Sequence, residues 1–166
     1  MTIPQYLKEY AHEFALLRIK ENSERYQGTH KQRTGNINSV LLGTTDREYY
    51  TEYIGILAEL IIRHELEKNK KCVEYTASSL LKSSNFATND ADITAYHGNG
   101  STRFSVKGCE GSMKANKQAM DDEEVDIVAF VIFETKTSCT IKYYRPDEVR
   151  QWELKSAFSD YYYKEL

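Results

Sequence analysis

The chain has 166 residues, 40% of them hydrophobic and 28% charged, with a formal net charge of −3. That is the size of one domain able to bury a real core, and it excludes a membrane-spanning helix, since no apolar run approaches the roughly 18 residues a span requires. The slight acidity excludes a wholly basic nucleic-acid sleeve but leaves room for a local basic groove beside an acidic site.

The N-terminus has no basic-then-apolar leader, so a cytoplasmic protein is expected. Cys72, Cys109 and Cys139 are odd in number and far apart, which predicts reduced structural thiols rather than a disulfide framework or a zinc clamp.

In chain order, Pro4 suits a first helical turn, and Tyr6, Leu7, Tyr10, Phe14, Leu17 and Ile19 follow a helical period to about Glu24. Residues 26–45 are rich in Gly, Asn, Thr, Arg and Lys around Val40-Leu41-Leu42 and read as one long connection, the best candidate for a functional loop. A second helix, capped by Thr45 or Asp46, runs to about Lys70. Residues 72–75 open a strand, and 78–89 form a loop with room for one helical turn.

A hairpin follows, with strands at 90–96 and 102–109 about a turn at 97–101. Residues 112–120 read as a short helix, 121–124 as an acidic loop, and the apolar run 127–133 as a central strand buried on both faces. A strand at 139–144, a helical turn at 146–152 and a tail at 153–166 without clear period complete the reading. The whole is expected to be one domain over 1–166, with a helix and loop at 1–45, a core at 46–152 and the tail beyond.

Within the second helix, Ile54-Gly55-Ile56-Leu57-Ala58-Glu59-Leu60-Ile61-Ile62 is apolar except for Glu59. A carboxylate there costs free energy unless a cation or hydrogen-bond donors meet it. Glu59 is therefore either a metal ligand or the partner of Arg63 one turn on. Asp90 and Asp92 share one strand face; Asp90 reads as turn chemistry, and Asp92, held by the ladder, is the better ligand. On the second hairpin strand Ser105 and Lys107 share the face that Asp92 can reach, unless Lys107 is a solvated edge residue. Gly108 permits close approach of another segment. Lys114 and Lys117 are candidates for phosphate contacts, or the polar side of an exposed helix. His12, His30, His64 and His97 lack ligand spacing.

This order of parts resembles the restriction-endonuclease-like superfamily, named for its PD-(D/E)XK motif. Gly55-Ile56-Leu57-Ala58-Glu59 looks like the family's helix signature, Asp92 matches the motif aspartate and Lys107 the motif lysine. The match covers roughly residues 46–133, and Ile141-Lys142-Tyr143-Tyr144-Arg145-Pro146 is similar to the closing strand and helix. The sequence departs at Ser105, where the family has Asp or Glu, and at Ala91, where the motif names proline. Glu110 is a second substitute for the missing acid, though strict alternation puts it on the opposite face.

The resemblance implies an α/β fold with a mixed central sheet flanked by helices, a DNA substrate, and a Mg²⁺- or Mn²⁺-dependent endonuclease of a restriction or defence system or mobile element, with a homodimer as one way to cut both strands. Asp92 and Glu59, with the Val106 carbonyl and waters, suit a hard cation. Lys107 would orient or deprotonate the water and Ser105 would donate a hydrogen bond. With two carboxylates the metal requirement is expected in the millimolar range, an order-of-magnitude figure. Two other readings stand beside it: a catalytically silent nucleic-acid-binding or protein-interaction module on the same fold, and an interaction protein unrelated to nucleases.

Overall fold

A computed structural model describes residues 1–25, 34–69, 72–75, 91–122, 124–157 and 159–166. The expectations for 78–89 and for Asp90 and His30 lie outside these residues. Helix α1 (Gln5–Arg25) buries Ile3 ahead of it and then Leu7, Ala11 and Ala15 at every fourth position, the spacing of one helical face. The two alanines let it lie close against α2 (Arg47–Lys68). Tyr6 Oη with His64 Nδ1 (2.7 Å), His12 Nδ1 with Tyr49 Oη (2.6 Å) and the Arg18–Glu52 pair (3.3 Å) tie the two helices at their rims. Asp46 caps α2, its side chain accepting the Tyr49 amide at 3.0 Å.

Between the helices the expected single connection is in part a β-hairpin, β1 (Asn36–Ser39) with β2 (Gly43–Asp46). Its strands carry no apolar alternation, so a period-based reading passes over them. What holds the hairpin is Glu110. One carboxylate oxygen accepts from Ser39 Oγ (2.7 Å) and the Leu41 amide (2.9 Å), and the other from Tyr50 Oη (3.2 Å).

The central sheet has the order β3 (Cys72–Tyr75), β4 (Ile93–His97), β5 (Gly100–Cys109), β7 (Ile127–Phe133), β8 (Cys139–Tyr144). Only β5 and β7 pair in parallel, so the sheet is mixed. The β4–β5 turn needs just Gly98 and Asn99, with Gly98 at φ +47°, a conformation that costs glycine little. Residues 112–120 are not one helix: β6 (Ser112–Asn116) precedes a short α3 (Lys117–Asp122). After a turn of helix α4 (Pro146–Val149), the tail forms the hairpin β9 (Glu153–Ser156) and β10 (Asp160–Glu165). β6, β10 and β9 make a second, three-stranded antiparallel sheet.

The central sheet is thus covered differently on its two sides. Ile93, Ala95, Phe104, Val106, Ala129, Val131 and Phe133 pack with α1 and α2. Cys109, Val128, Phe130 and Ile132 pack instead with Met113, Ala115, Met120, Val149 and Tyr162 from the second sheet and its short helices. Helices flank the sheet as expected, but the principal cover of the second side is another sheet. Among the described residues no helix is long and apolar enough to cross a membrane.

Candidate active site at the end of strand β4

Alternation along β5 sets the site. Phe104 and Val106 lie in the core beneath α2, and a Cβ on Gly108 would come within 2.5 Å of the Ile54 carbonyl oxygen, so the even-numbered residues face the helix. Ser105, Lys107 and Cys109 therefore belong to the opposite side, with their register partners Val128, Phe130 and Ile132 on β7. On β4, Ile93 and Ala95 occupy the helix-side core; Asp92 precedes the strand with its amide out of the ladder's register, so alternation assigns it to neither face.

Asp92 sits where the β4 ladder stops. Its amide donates to the Phe104 carbonyl at 2.9 Å, and its Oδ2 accepts the Val106 amide at 2.7 Å. The carboxylate so replaces the backbone carbonyl that a longer β4 would have offered, and its position is fixed relative to β5. Val106 lies between Ser105 and Lys107 in the chain, which brings the carboxylate to the segment carrying both. Ser105 is 1% exposed, and its Oγ has no hydrogen-bond partner among the described residues. Lys107 is half-buried.

Glu59 is 8% exposed on α2. Arg63, the alternative partner, holds Glu67 at 2.6 Å. Helix α2 descends as β5 ascends: Ile54 lies against Gly108, and beyond Lys68 the chain enters β3 at Cys72, which is in register with Tyr96 and, through it, with Ser101. Five helical residues rise about 7.5 Å, between two and three strand residues, so Glu59 is level with Ser105 and Val106. It comes from the helix side, whereas Lys107 belongs to the other. Among the described residues no group of three or more His, Cys, Asp or Glu side chains is gathered as a metal site.

Glu110 is no substitute acid here, because its carboxylate is engaged with the β1–β2 hairpin. Lys114 and Lys117 are not brought to Lys107. Met113 and Ala115 face the core, so Lys114 points outward from β6 and lies over the Tyr161 ring at 5.6 Å. Lys117 pairs with Asp121, whose carboxyl that hydrogen bond holds below the usual range. A cation that sequence reasoning left out is Lys142. It is in register with Phe130, the partner of Lys107, so the two lysines share one face two strands apart, roughly 10 Å. Only strand register reveals it.

Cys109 and Cys139 are both buried free thiols. Burial, with Glu110 adding to it and Lys142 opposing it, pushes Cys109 up to about 12, and burial pushes Cys139 up to about 11. No family model matches the chain, and no curated protein shows significant similarity to it.

Proposed function

We propose that the chain is a metal-dependent endonuclease acting on DNA, with its reaction centre at the end of β4. The observation that carries this reading is the Asp92 carboxylate held on the Val106 amide at 2.7 Å, one residue before Lys107 in the chain. An acid fixed by the ladder next to a lysine on the adjoining strand is preorganised, the condition under which electrostatic catalysis is strongest. Glu59, level with them, supplies a second hard oxygen donor.

These donors suit magnesium or manganese rather than zinc. Asp92 and Glu59 would hold the ion, which when bound supplies Lewis-acid polarisation of the phosphodiester and an acidified water. Without a third acid the affinity depends on substrate oxygens. Lys107 orients the attacking water and offsets charge on the phosphate; Lys142 steers a phosphate toward the same face. Ser105, whose hydroxyl is neutral, offers a hydrogen bond in place of the family's acid. Two copies of the chain would be needed to cut both strands at once.

A second reading, a silent nucleic-acid-binding or protein-interaction module on the same fold, is favoured by one observation: the side chain in the acid's place is 1% exposed and uncharged. Incubation with plasmid and linear DNA in Mg²⁺ or Mn²⁺, beside Asp92→Ala and Lys107→Ala, separates the two. Cleavage abolished by both substitutions supports the enzyme. DNA binding without cleavage in either metal supports the module.

A further inference from the structure

The outer face of the β6–β10–β9 sheet brings tyrosines and lysines together. Alternation turns Tyr162 inward, 7% exposed, and leaves Tyr161 and Tyr163 on the outside of the central strand β10. In register, Tyr163 lies between Lys114 on β6 and Glu153 on β9, and Tyr161 between Asn116 and Lys155. The lysines then cross diagonally. Lys114 Nζ lies 5.6 Å from the Tyr161 ring centroid, and Lys155 Nζ lies 3.6 Å from that of Tyr163. Two aromatic rings roughly 7 Å apart along one strand thus each have an ammonium group over them, in contact at Tyr163 and farther off at Tyr161, whose face is the more open.

We propose that this face is a stacking surface for single-stranded nucleic acid, with bases on Tyr161 and Tyr163 and phosphates on Lys114 and Lys155. Aromatic rings accept any unpaired base on its π-face, and cations beside them follow the sugar-phosphate backbone. A duplex offers no such base faces. The carboxylates of the face rank the two rings. Glu153 sits beside Tyr163, and Glu165 Oε1 accepts from Tyr163 Oη at 3.4 Å, whereas Tyr161 has only Asn116 and Lys155 in register. Tyr161 is the stronger platform. The surface deepens the nuclease reading, on which its use rests, but binding to it requires neither metal nor the residues at the end of β4.

The test is fluorescence anisotropy with labelled 20-nucleotide oligo-dT and oligo-U and a 20-base-pair duplex, in EDTA at low salt. Both single strands are expected to bind more tightly than the duplex, and a difference between them assigns DNA or RNA. Tyr161→Ala/Tyr163→Ala is expected to weaken binding about tenfold or more, with Tyr161→Ala the larger single effect. Tyr161→Phe/Tyr163→Phe retains binding, which separates stacking from loss of fold. Lys114→Gln/Lys155→Gln is expected to flatten the slope of log K against log salt by about 1.4, and Glu153→Gln to tighten binding. Failure of the plasmid-cleavage assay leaves this binding in EDTA as expected, so the two readings fail separately. No single-strand binding, preference for the duplex, or binding untouched by the double alanine variant overturns the proposal.

Discussion

The two sides of the central sheet solve the same problem with different materials. On one, α1 and α2 lay aliphatic side chains over Ile93, Val106 and Val131, and the approach is close enough that Gly108 has no room for a Cβ. On the other, a small sheet contributes aromatic and sulfur groups, with Phe130 against Trp152 at 5.3 Å and Tyr144 at 5.9 Å. Helical cover runs along β5 from Phe104 to Gly108, where apart from Glu59 and Glu110 that side holds little polarity. The second cover centres on β7, and Ser105, Lys107 and Asp92 lie beyond it toward β4. The polar side chains of the candidate site gather where β4 ends, because there a carboxylate can be held by an amide of the adjoining strand.

The comparison is most sharply broken by deleting one large side chain from each side. Phe130→Ala is expected to cost about 3–5 kcal/mol and Leu57→Ala about 2–5 kcal/mol by urea denaturation; near-neutral results would mean that one cover is not packed as described. Next, Gly108→Ala places a methyl against the Ile54 carbonyl oxygen and should cost about 1–3 kcal/mol, with the equivalent change at exposed Gly100 almost silent. Glu110→Gln leaves an amide among three donors, at an expected cost of about 1–3 kcal/mol, and should speed hydrogen exchange at the Leu41 amide. An unchanged exchange rate would detach the hairpin from this carboxylate.

The smallest effect at neutral pH is at Cys109, where Ala changes stability little. Its folded pKa of about 12 stands above the unfolded 9.0, so the folded state keeps a proton that the unfolded state loses. That contribution is complete below pH 9 and is lost as pH rises toward 12. Cys139, at about 11, adds to the same alkaline fall, and Tyr53, raised from 10.0 to about 12, adds to it above pH 10. Cys109→Ala should flatten the decline between pH 9 and 12 measured by denaturant titration; an unaltered slope would remove the thiol as its source.

How much of this was legible from residues alone depended on period. Helices α1 and α2, the β4–β5 hairpin and the apolar β7 and β8 are long or strongly patterned, and each was anticipated within a few residues. β6 was misread as helix although Met113 and Ala115 alternate with Lys114 and Asn116; five residues of period two are outvoted by helix-forming neighbours. β10 escaped because Tyr161, Tyr162 and Tyr163 are chemically identical, and a run of one residue has no visible inside. Of the candidate site, the shared face of Ser105 and Lys107 follows from alternation in a hairpin, and Asp92 is anticipated only as the residue at its start. The separation of Lys114 and Lys117 from them, the engagement of Glu110, and the arrival of Lys142 opposite Lys107 do not.

The amino-acid order by itself determined which segments become helix or buried strand, because hydrophobic period acts within one segment and needs no partner. Tertiary structure decided the rest: which strand lies beside which, that the tail closes a second sheet, and that Glu59 comes from the helix side while Lys107 belongs to the other. Those outcomes turn on pairing between residues far apart in the chain, such as Tyr163 with Lys114 or Phe130 with Lys142, and no local pattern encodes the register that joins them.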